Sequence, residues 1–194
     1  MALKLNTADL PMGSQRVGSD TVSSGELQTL LGTEGVFEHR NWSAAGMIKP
    51  RLDARELICR LVRNESGSAK AIRLQVSYDT GASQWGREIN ALTGDVEAGA
   101  GIVDPFLVST GIADNGIGWI VTRGPVDVQN TADAALVIGD RCVSAASGQL
   151  NKQTAAPASD TAVMQEVLSY VGRAEEAAAA VSGTVFRIDY RGEN

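Results

Sequence analysis

One histidine and two cysteines are the side chains of this chain best suited to acid–base or nucleophilic chemistry near neutral pH: His39, Cys59 and Cys142. A hydrolase triad needs a nucleophile, a base and an orienting acid, and the chain has no Gly-x-Ser-x-Gly elbow to present such a nucleophile. The three residues also lack the spacing of a zinc site. We therefore predict no catalytic, metal-binding or cofactor-binding residue, and we expect His39 to lie in a partly exposed loop.

Acidic residues give weaker signals. Asp104 and Asp114 lack the Asp-x-Asp-x-Asp-Gly pattern of a calcium loop. Asp127 and Asp133 have the residue type of a glycosidase carboxylate pair, but solvated strand ends explain them better. The glycine-rich segment 111–118 does not precede a predicted helix, so it indicates a turn before a strand and not a phosphate-binding loop.

The two cysteines lie in apolar, strand-like contexts. Ile58 precedes Cys59, and Val143 follows Cys142. This pattern predicts buried, reduced thiols. A disulfide is the alternative, and it is disfavoured if the protein assembles in a reducing cytosol.

Charge is unevenly distributed along the chain. The net charge is −6 and the calculated isoelectric point is about 4.8, which disfavours nucleic-acid binding through bulk electrostatics. Residues 101–194 contain 6 basic and 11 acidic side chains, whereas residues 40–73 contain 8 basic and 3 acidic ones. The basic stretch indicates either a solvated strand face or a patch that meets an acidic partner.

Membrane segments are not expected. No apolar run approaches eighteen residues, and residues 1–20 lack the apolar centre of a secretory signal. Together with the acidic net charge, these features predict that the chain binds neither membrane nor nucleic acid.

Short β-rich runs separated by Gly, Pro and Asp predict an all-β fold. Residues 118–128 indicate two strand pieces broken at Gly124-Pro125, and residues 134–143 indicate two more, broken at Gly139-Asp140. Residues 183–190 alternate between apolar and polar side chains, as a closing strand does. With aromatic residues at 5% and 21 glycines, such runs are typical of a small barrel or sandwich.

The division of the chain follows from composition. Residues 1–25 are polar and Gly/Ser-rich, so we predict an extended arm that is ordered only against another surface, either its own domain or a neighbour. Residues 26–98 are predicted to form a first β-module, and residues 99–194 a small C-terminal β-barrel. Within the first module, we expect residues 56–62 and 71–77 to pair as a hairpin, in preference to a helix over 52–62.

Two segments of the C-terminal half are less regular. Residues 144–162 are predicted to be an exposed loop, because small and polar residues dominate. Residues 161–181 fit either a helix, by the spacing of Met164, Val167 and Leu168, or a strand. We favour a strand over 167–171 and allow a helical turn near 175–179.

Tryptophans mark two different environments. Trp119 lies in a strong strand and is predicted to anchor the core, whereas Trp85 is the better candidate for a surface contact.

Six stretches follow one another along the chain with small-residue segments between them: 61–69, 101–107, 115–125, 137–140, 171–174 and the closing run 185–190. In this order they resemble the capsid decoration proteins of tailed bacteriophages, also called cement or head-stabilisation proteins, over roughly residues 55–194. The resemblance implies a structural virion protein without an active site, so it assigns no catalytic residue.

The function expected from this resemblance is binding to the outer surface of an assembled phage capsid. The chain would reinforce contacts between major capsid subunits, without catalysis, as a homotrimer that assembles in the host cytoplasm. A head fibre or carbohydrate-binding host-attachment module is the alternative, and exposure of Trp85 and Tyr78 on one surface would favour it. A small hydrolase is the third class, and it would need a cleft that collects His39 with acids and a nucleophile.

Overall fold

The computed structural model describes residues 15–16, 30–38, 40–42, 48–50, 56–79, 86–91, 99–103, 111–153, 161 and 170–191. These residues are organised almost entirely as strands, which confirms the predicted all-β class. A short 3-10 turn spans Ala146–Gly148. The thirteen strands are β1 (Gln15–Arg16), β2 (Glu34–Glu38), β3 (Arg40–Trp42), β4 (Ile48–Pro50), β5 (Glu56–Asn64), β6 (Gln75–Tyr78), β7 (Glu88–Ala91), β8 (Gly99–Ile102), β9 (Gly116–Gln129), β10 (Arg141–Ser144), β11 (Leu150–Lys152), β12 (Tyr170–Ala174) and β13 (Val185–Arg191).

Five strands form a closed barrel, here called the first ring. Around the ring, β9 pairs with β8, β8 with β6, β6 with β7, β7 with β5, and β5 returns to β9. The β5–β7 pair is parallel and the others are antiparallel. Closure leaves these strands no exposed edge. Trp119 on β9 lies opposite Leu61 on β5 with both side chains fully buried, so Trp119 anchors the core as predicted.

The long strand β9 runs through the Gly124-Pro125 break that we predicted. Residues 117–123 pair with β5, and residues 123–129 pair with β13, so the strand is continuous but changes partner. Gly124 has a φ of 113°, and a Cβ at this position would lie 2.7 Å from the carbonyl oxygen of Glu56. Glycine therefore permits the close approach of β5 at the point where the pairing of β9 changes from β5 to β13.

The second half of β9 opens a second set of strands, here called the second ring. β9, β13, β12, β10 and β11 are neighbours in that order. A parallel bridge between Asn130 and Leu150 brings β11 back to the end of β9, and the Thr131 amide donates to the Leu150 carbonyl at 2.9 Å. The buried interior includes Val126, Val128, Cys142, Leu150, Phe186, Ile188 and Tyr190.

The rings share one hydrophobic core as well as β9. The Tyr190 hydroxyl on β13 lies 3.4 Å from Gln75 Nε2 on β6 and donates to the Gly99 carbonyl on β8 at 3.4 Å. The first ring takes strands from both sides of the predicted boundary at residue 98/99, because β8 belongs to it. The second ring lies within the range 99–194. The division into an arm and two domains stays a prediction.

The predicted hairpin of residues 56–62 with 71–77 is wrong. Both strands exist, but β6 begins only at Gln75, and β7 lies between it and β5. The buried Asn64 side chain ends β5 by donating to the carbonyls of Ser68, Ile112 and Ala113. These bonds hold the following loop against residues 112–113, and Arg73, with a φ of 66°, turns the chain again before β6.

The irregular C-terminal segments differ from expectation in three places. Within the predicted loop 144–162, residues 150–152 form β11 against β10. Residues 134–138 form no strand, and only Leu136 bridges to Ala178. The helical turn allowed near 175–179 is absent, because Glu175 donates its amide to Arg187 O and Ala178 exchanges both backbone bonds with Leu136.

The predicted strand near 167–171 is present from Tyr170 onward as β12. Residues 162–169 lie outside the described residues. Of the predicted arm, the structure describes β1, in which Gln15 and Arg16 pair with Ile117 and Gly116 at the start of β9. The remaining residues of the arm lie outside the described part.

Candidate interaction surface

The residues singled out for chemistry are not brought together where the structure describes them. His39, Trp85 and Asp104 lie outside the described residues. Asp127 is buried and its Oδ1 accepts from Arg187 Nε at 3.2 Å, whereas Asp133 Oδ2 accepts from Asn151 Nδ2 at 3.0 Å. Each carboxylate therefore has its own partner, as structural side chains do.

Both cysteines are buried and neither is in a disulfide, which confirms the predicted environment. Cys59 lies on β5 and Cys142 on β10, in different rings. Burial raises the pKa of the Cys142 thiol to about 12, and the charge of Asp140 acts in the same direction. Cys142 is therefore protonated at neutral pH and is unsuited to nucleophilic attack.

Two arginines of the basic stretch 40–73 fit neither expectation. Arg60 donates to Glu34 Oε1 and to the Tyr78 hydroxyl, both at 2.7 Å. Arg63 is paired with Glu65 and Glu88. These half-buried cations are neutralised within the chain, so they form neither a solvated face nor an open patch. Tyr78 is 4% exposed, which removes it as a platform for sugars.

Four of the five exposed large apolar side chains of the described residues lie in two segments of the second ring, 137–138 and 181–185. We call Val137, Ile138, Val181 and Val185 the apolar rim; Ile138 is 73% exposed and the other three are between 44% and 59% exposed. In the described part of the first ring and its flanking strands, the comparable side chain is Val36. Exposed aliphatic groups held in a fixed arrangement are typical of surfaces that bind other proteins.

Hydrogen bonds stabilise the two turns that carry residues of the apolar rim. Asp140 Oδ2 accepts from the Val137 amide at 2.9 Å, and the Gly139 amide donates to Ala174 O at 2.8 Å. In the second turn the Thr184 amide donates to Val181 O at 3.1 Å. The Leu136–Ala178 bridge links the two segments that carry the turns.

Asn130 binds the same segments to the end of β9 through hydrogen bonds. Its fully buried side chain donates to the carbonyls of Ala134, at 3.0 Å, and Ala179, at 2.9 Å. Its backbone carbonyl accepts from the Gly183 amide at 2.9 Å. One buried amide thus positions both rim segments relative to the sheet.

The rim was not predicted, because the sequence pattern indicated a strand over residues 134–138 and allowed a helical turn near 175–179. The signal that could have found it is the pair Val137-Ile138 directly before the Gly139-Asp140 turn. Apolar residues at the tip of a turn have no neighbouring strand to cover them.

The described part of the chain contains no candidate metal site and no candidate membrane-spanning helix. No group of three or more His, Cys, Asp or Glu side chains is arranged to hold a metal ion there. Nor is any helix among those residues long and apolar enough to cross a bilayer.

Comparisons with known proteins gave little. No family model matches the chain, and no curated protein matches it. Among solved structures it is similar to the N base of the head fibre gp8.5 of bacteriophage phi29, with a TM-score of 0.41 and 13% identity over 71% of this chain and 98% of that one. At these values the likeness carries no conclusion about the function of this chain.

Proposed function

We propose that this chain is a structural virion protein that binds the outer surface of an assembled phage capsid and reinforces contacts between major capsid subunits. The apolar rim is the observation that carries the proposal, because exposed valine and isoleucine side chains on rigid turns suit protein binding. The residues that resemble capsid decoration proteins name the class of partner, and two of the matching stretches, 137–140 and 171–174, lie at or beside the rim.

The proposed mechanism is burial of surface and not catalysis. Internal DNA pressure pushes capsid subunits apart at their seams. A rigid protein that spans a seam adds contacts that must all break before the seam opens, and linked contacts are stronger together than each alone. A shared core and a continuous β9 give the chain the stiffness that such bridging requires.

We further propose a homotrimer, because closed threefold symmetry matches a site where three subunits meet. Gln15 and Arg16 of the arm 1–25 pair with β9 of the same chain, and we propose that further contacts beyond its own domain order the arm.

A heat-release experiment tests the function. Capsids stripped of the protein are heated with and without the purified chain, and DNA release is followed with an intercalating dye. Binding to the folded shell should raise the release temperature in proportion to occupancy. An unchanged release temperature at full occupancy would contradict the reinforcing role, and a monomeric or twofold arrangement on the particle would contradict the trimer.

A further inference from the structure

Four exposed arginines lie on the outer side of the second ring. Arg141 on β10 lies directly opposite Arg173 on β12, and Arg191 on β13 lies directly opposite Arg123 on β9. Residues directly opposite on antiparallel strands have Cβ atoms about 5 Å apart and point to the same side of the sheet. Each pair therefore places two positive charges side by side.

The two pairs share one face. Arg173 lies opposite Asp189, and Asp189 is two residues from Arg191 on the same strand, so all of them point the same way. The intervening Tyr190 and the neighbouring Ile188 point to the other side and are fully buried in the core. We call Arg123, Arg141, Arg173 and Arg191 the arginine face; it crosses four adjacent strands.

Within the described part of the chain, only Arg191 of these four meets a carboxylate, at 3.3 Å from Asp189 Oδ2. Arg173 Nη1 donates to the Gly139 carbonyl at 3.0 Å, and the Arg141 guanidinium lies over the Tyr170 ring at 4.5 Å. These neutral contacts orient the guanidinium groups without cancelling their charge. Like charges directly opposite on a sheet are destabilising.

Arg187 lies on the same face but, unlike most of these four arginines, has carboxylate partners. It lies directly opposite Asp127 and is bound to it, and Glu176 Oε1 lies 3.5 Å away. Arg187 is thus neutralised within the sheet, whereas the arginine face keeps a net positive charge. A guanidinium fork suits bidentate binding of carboxylates, which a partner surface would have to supply.

We propose that the arginine face binds a carboxylate-rich protein surface. The identification of that surface with the capsid subunit rests on the function proposed above. Protein carboxylates are favoured over nucleic-acid phosphates because the chain has a net charge of −6 and Asp189 lies among the four arginines. The only aromatic ring known to lie at the face within the described residues, Tyr170, is already covered by Arg141 and offers no open platform for a base.

Charge-reversal variants with a matched control test the proposal on the particle. Arg123→Glu and Arg141→Glu change opposite ends of the face, and Arg87→Glu makes the same charge change at an exposed turn beside the first ring. Each face variant should bind capsids about tenfold more weakly, equivalent to about 1.4 kcal/mol, whereas Arg87→Glu should bind as wild type does. Circular dichroism melting confirms that all three are folded. Face variants that bind as tightly as wild type would overturn the proposal while leaving the capsid function standing.

Soluble probes separate the chemistry of the face from the capsid. A polyglutamate peptide and a single-stranded oligonucleotide of equal charge are titrated into wild type, both face variants and Arg87→Glu, at low and at moderate salt. We expect wild type and Arg87→Glu to bind polyglutamate in preference to the oligonucleotide, and both face variants to lose this binding. That result in a protein that fails to bind capsids would support the inference and reject the proposed function.

Other outcomes overturn the inference. Oligonucleotide binding that is as tight as polyglutamate binding and depends on the same arginines would make the face a nucleic-acid surface. Loss of self-association in Arg141→Glu, measured by sedimentation velocity, would make it an interface between copies of this chain. Absence of any polyglutamate binding by wild type would show that the face does not bind carboxylates.

Discussion

The two rings share a strand but differ in whether their charged and apolar side chains have partners within the chain. In the first ring Arg60 and Arg63 are largely buried and paired with Glu34 and Glu88, so these two charges are neutralised within the chain. In the second ring exposed arginines face one another across strands, and aliphatic side chains project from turns. Because of this difference, we propose that the first ring is mainly structural and that the surfaces for partners lie on the second ring.

The largest expected effect tests whether the rings form one cooperative unit. Gly124→Ala should destabilise the protein by about 4 kcal/mol, because the new Cβ would meet the Glu56 backbone at 2.7 Å in a left-handed conformation. Gly67→Ala is the control: its φ is also positive, at 75°, but nothing lies within 4 Å, so it should cost about 1 kcal/mol. Chemical unfolding of both variants should show one transition. Two separate transitions would mean that the rings unfold independently.

The next effect sharpens the comparison by loosening the second ring alone. Asn130→Ala removes two buried side-chain hydrogen bonds and should cost about 2–3 kcal/mol. Hydrogen exchange should quicken at the amides of Leu136 and Gly183, while those of Lys70 and Ile112, which bridge two loops beside the first ring, keep their protection. Asn151→Ala, which removes an exposed bond to Asp133 and a local bond from the Lys152 amide, is the control and should change stability by less than about 1 kcal/mol. Equal loss of protection in both rings would contradict a local role for Asn130.

Counted for each pH unit, the smallest of these effects on stability is the pH dependence. The pKa of Cys142 is about 12 in the folded protein, against an ordinary value of 9.0, so the unfolded chain releases the thiol proton first as pH rises. The stability from this group is complete below pH 9 and falls by about 1.4 kcal/mol per unit between pH 9 and 12. In urea unfolding, the difference in stability between wild type and Cys142→Ala should shrink at that rate. A constant difference across this range would show that the thiol is not protected by the fold.

Sequence patterns predicted much of the strand content. The features that they did not predict depend on contacts between distant residues. The alternation of residues 185–190 and the apolar context of Trp119 depend on neighbouring residues, so they were visible. Pairing partners were not: β5 pairs in parallel with β7 and not with β6, because the buried side chain of Asn64 directs the loop towards residues 112–113, distant in sequence. A parallel pair leaves no short turn to mark it.

The candidate surfaces were harder to foresee than the strands. The arginine face depends on the register of four strands, since Arg123, Arg141, Arg173 and Arg191 are far apart in sequence and meet only through pairing. The apolar rim depends on turns that the sequence presented as parts of a strand and a helix. Exposure follows from pairing, and local pattern does not determine pairing between distant segments.

Binding of a rim variant to stripped capsids tests the central claim most directly. Val137→Ser/Ile138→Ser replaces exposed rim residues, and Val36→Ser replaces the exposed valine of β2 beside the first ring. Since all three side chains are at the surface, each substitution should leave stability within about 0.5 kcal/mol of wild type. The account predicts that cosedimentation with capsids weakens at least about tenfold for the rim variant, a loss of about 1.4 kcal/mol, and is unchanged for Val36→Ser. Equal binding by the two variants, or a loss confined to Val36→Ser, would contradict the assignment of the partner surface to the second ring.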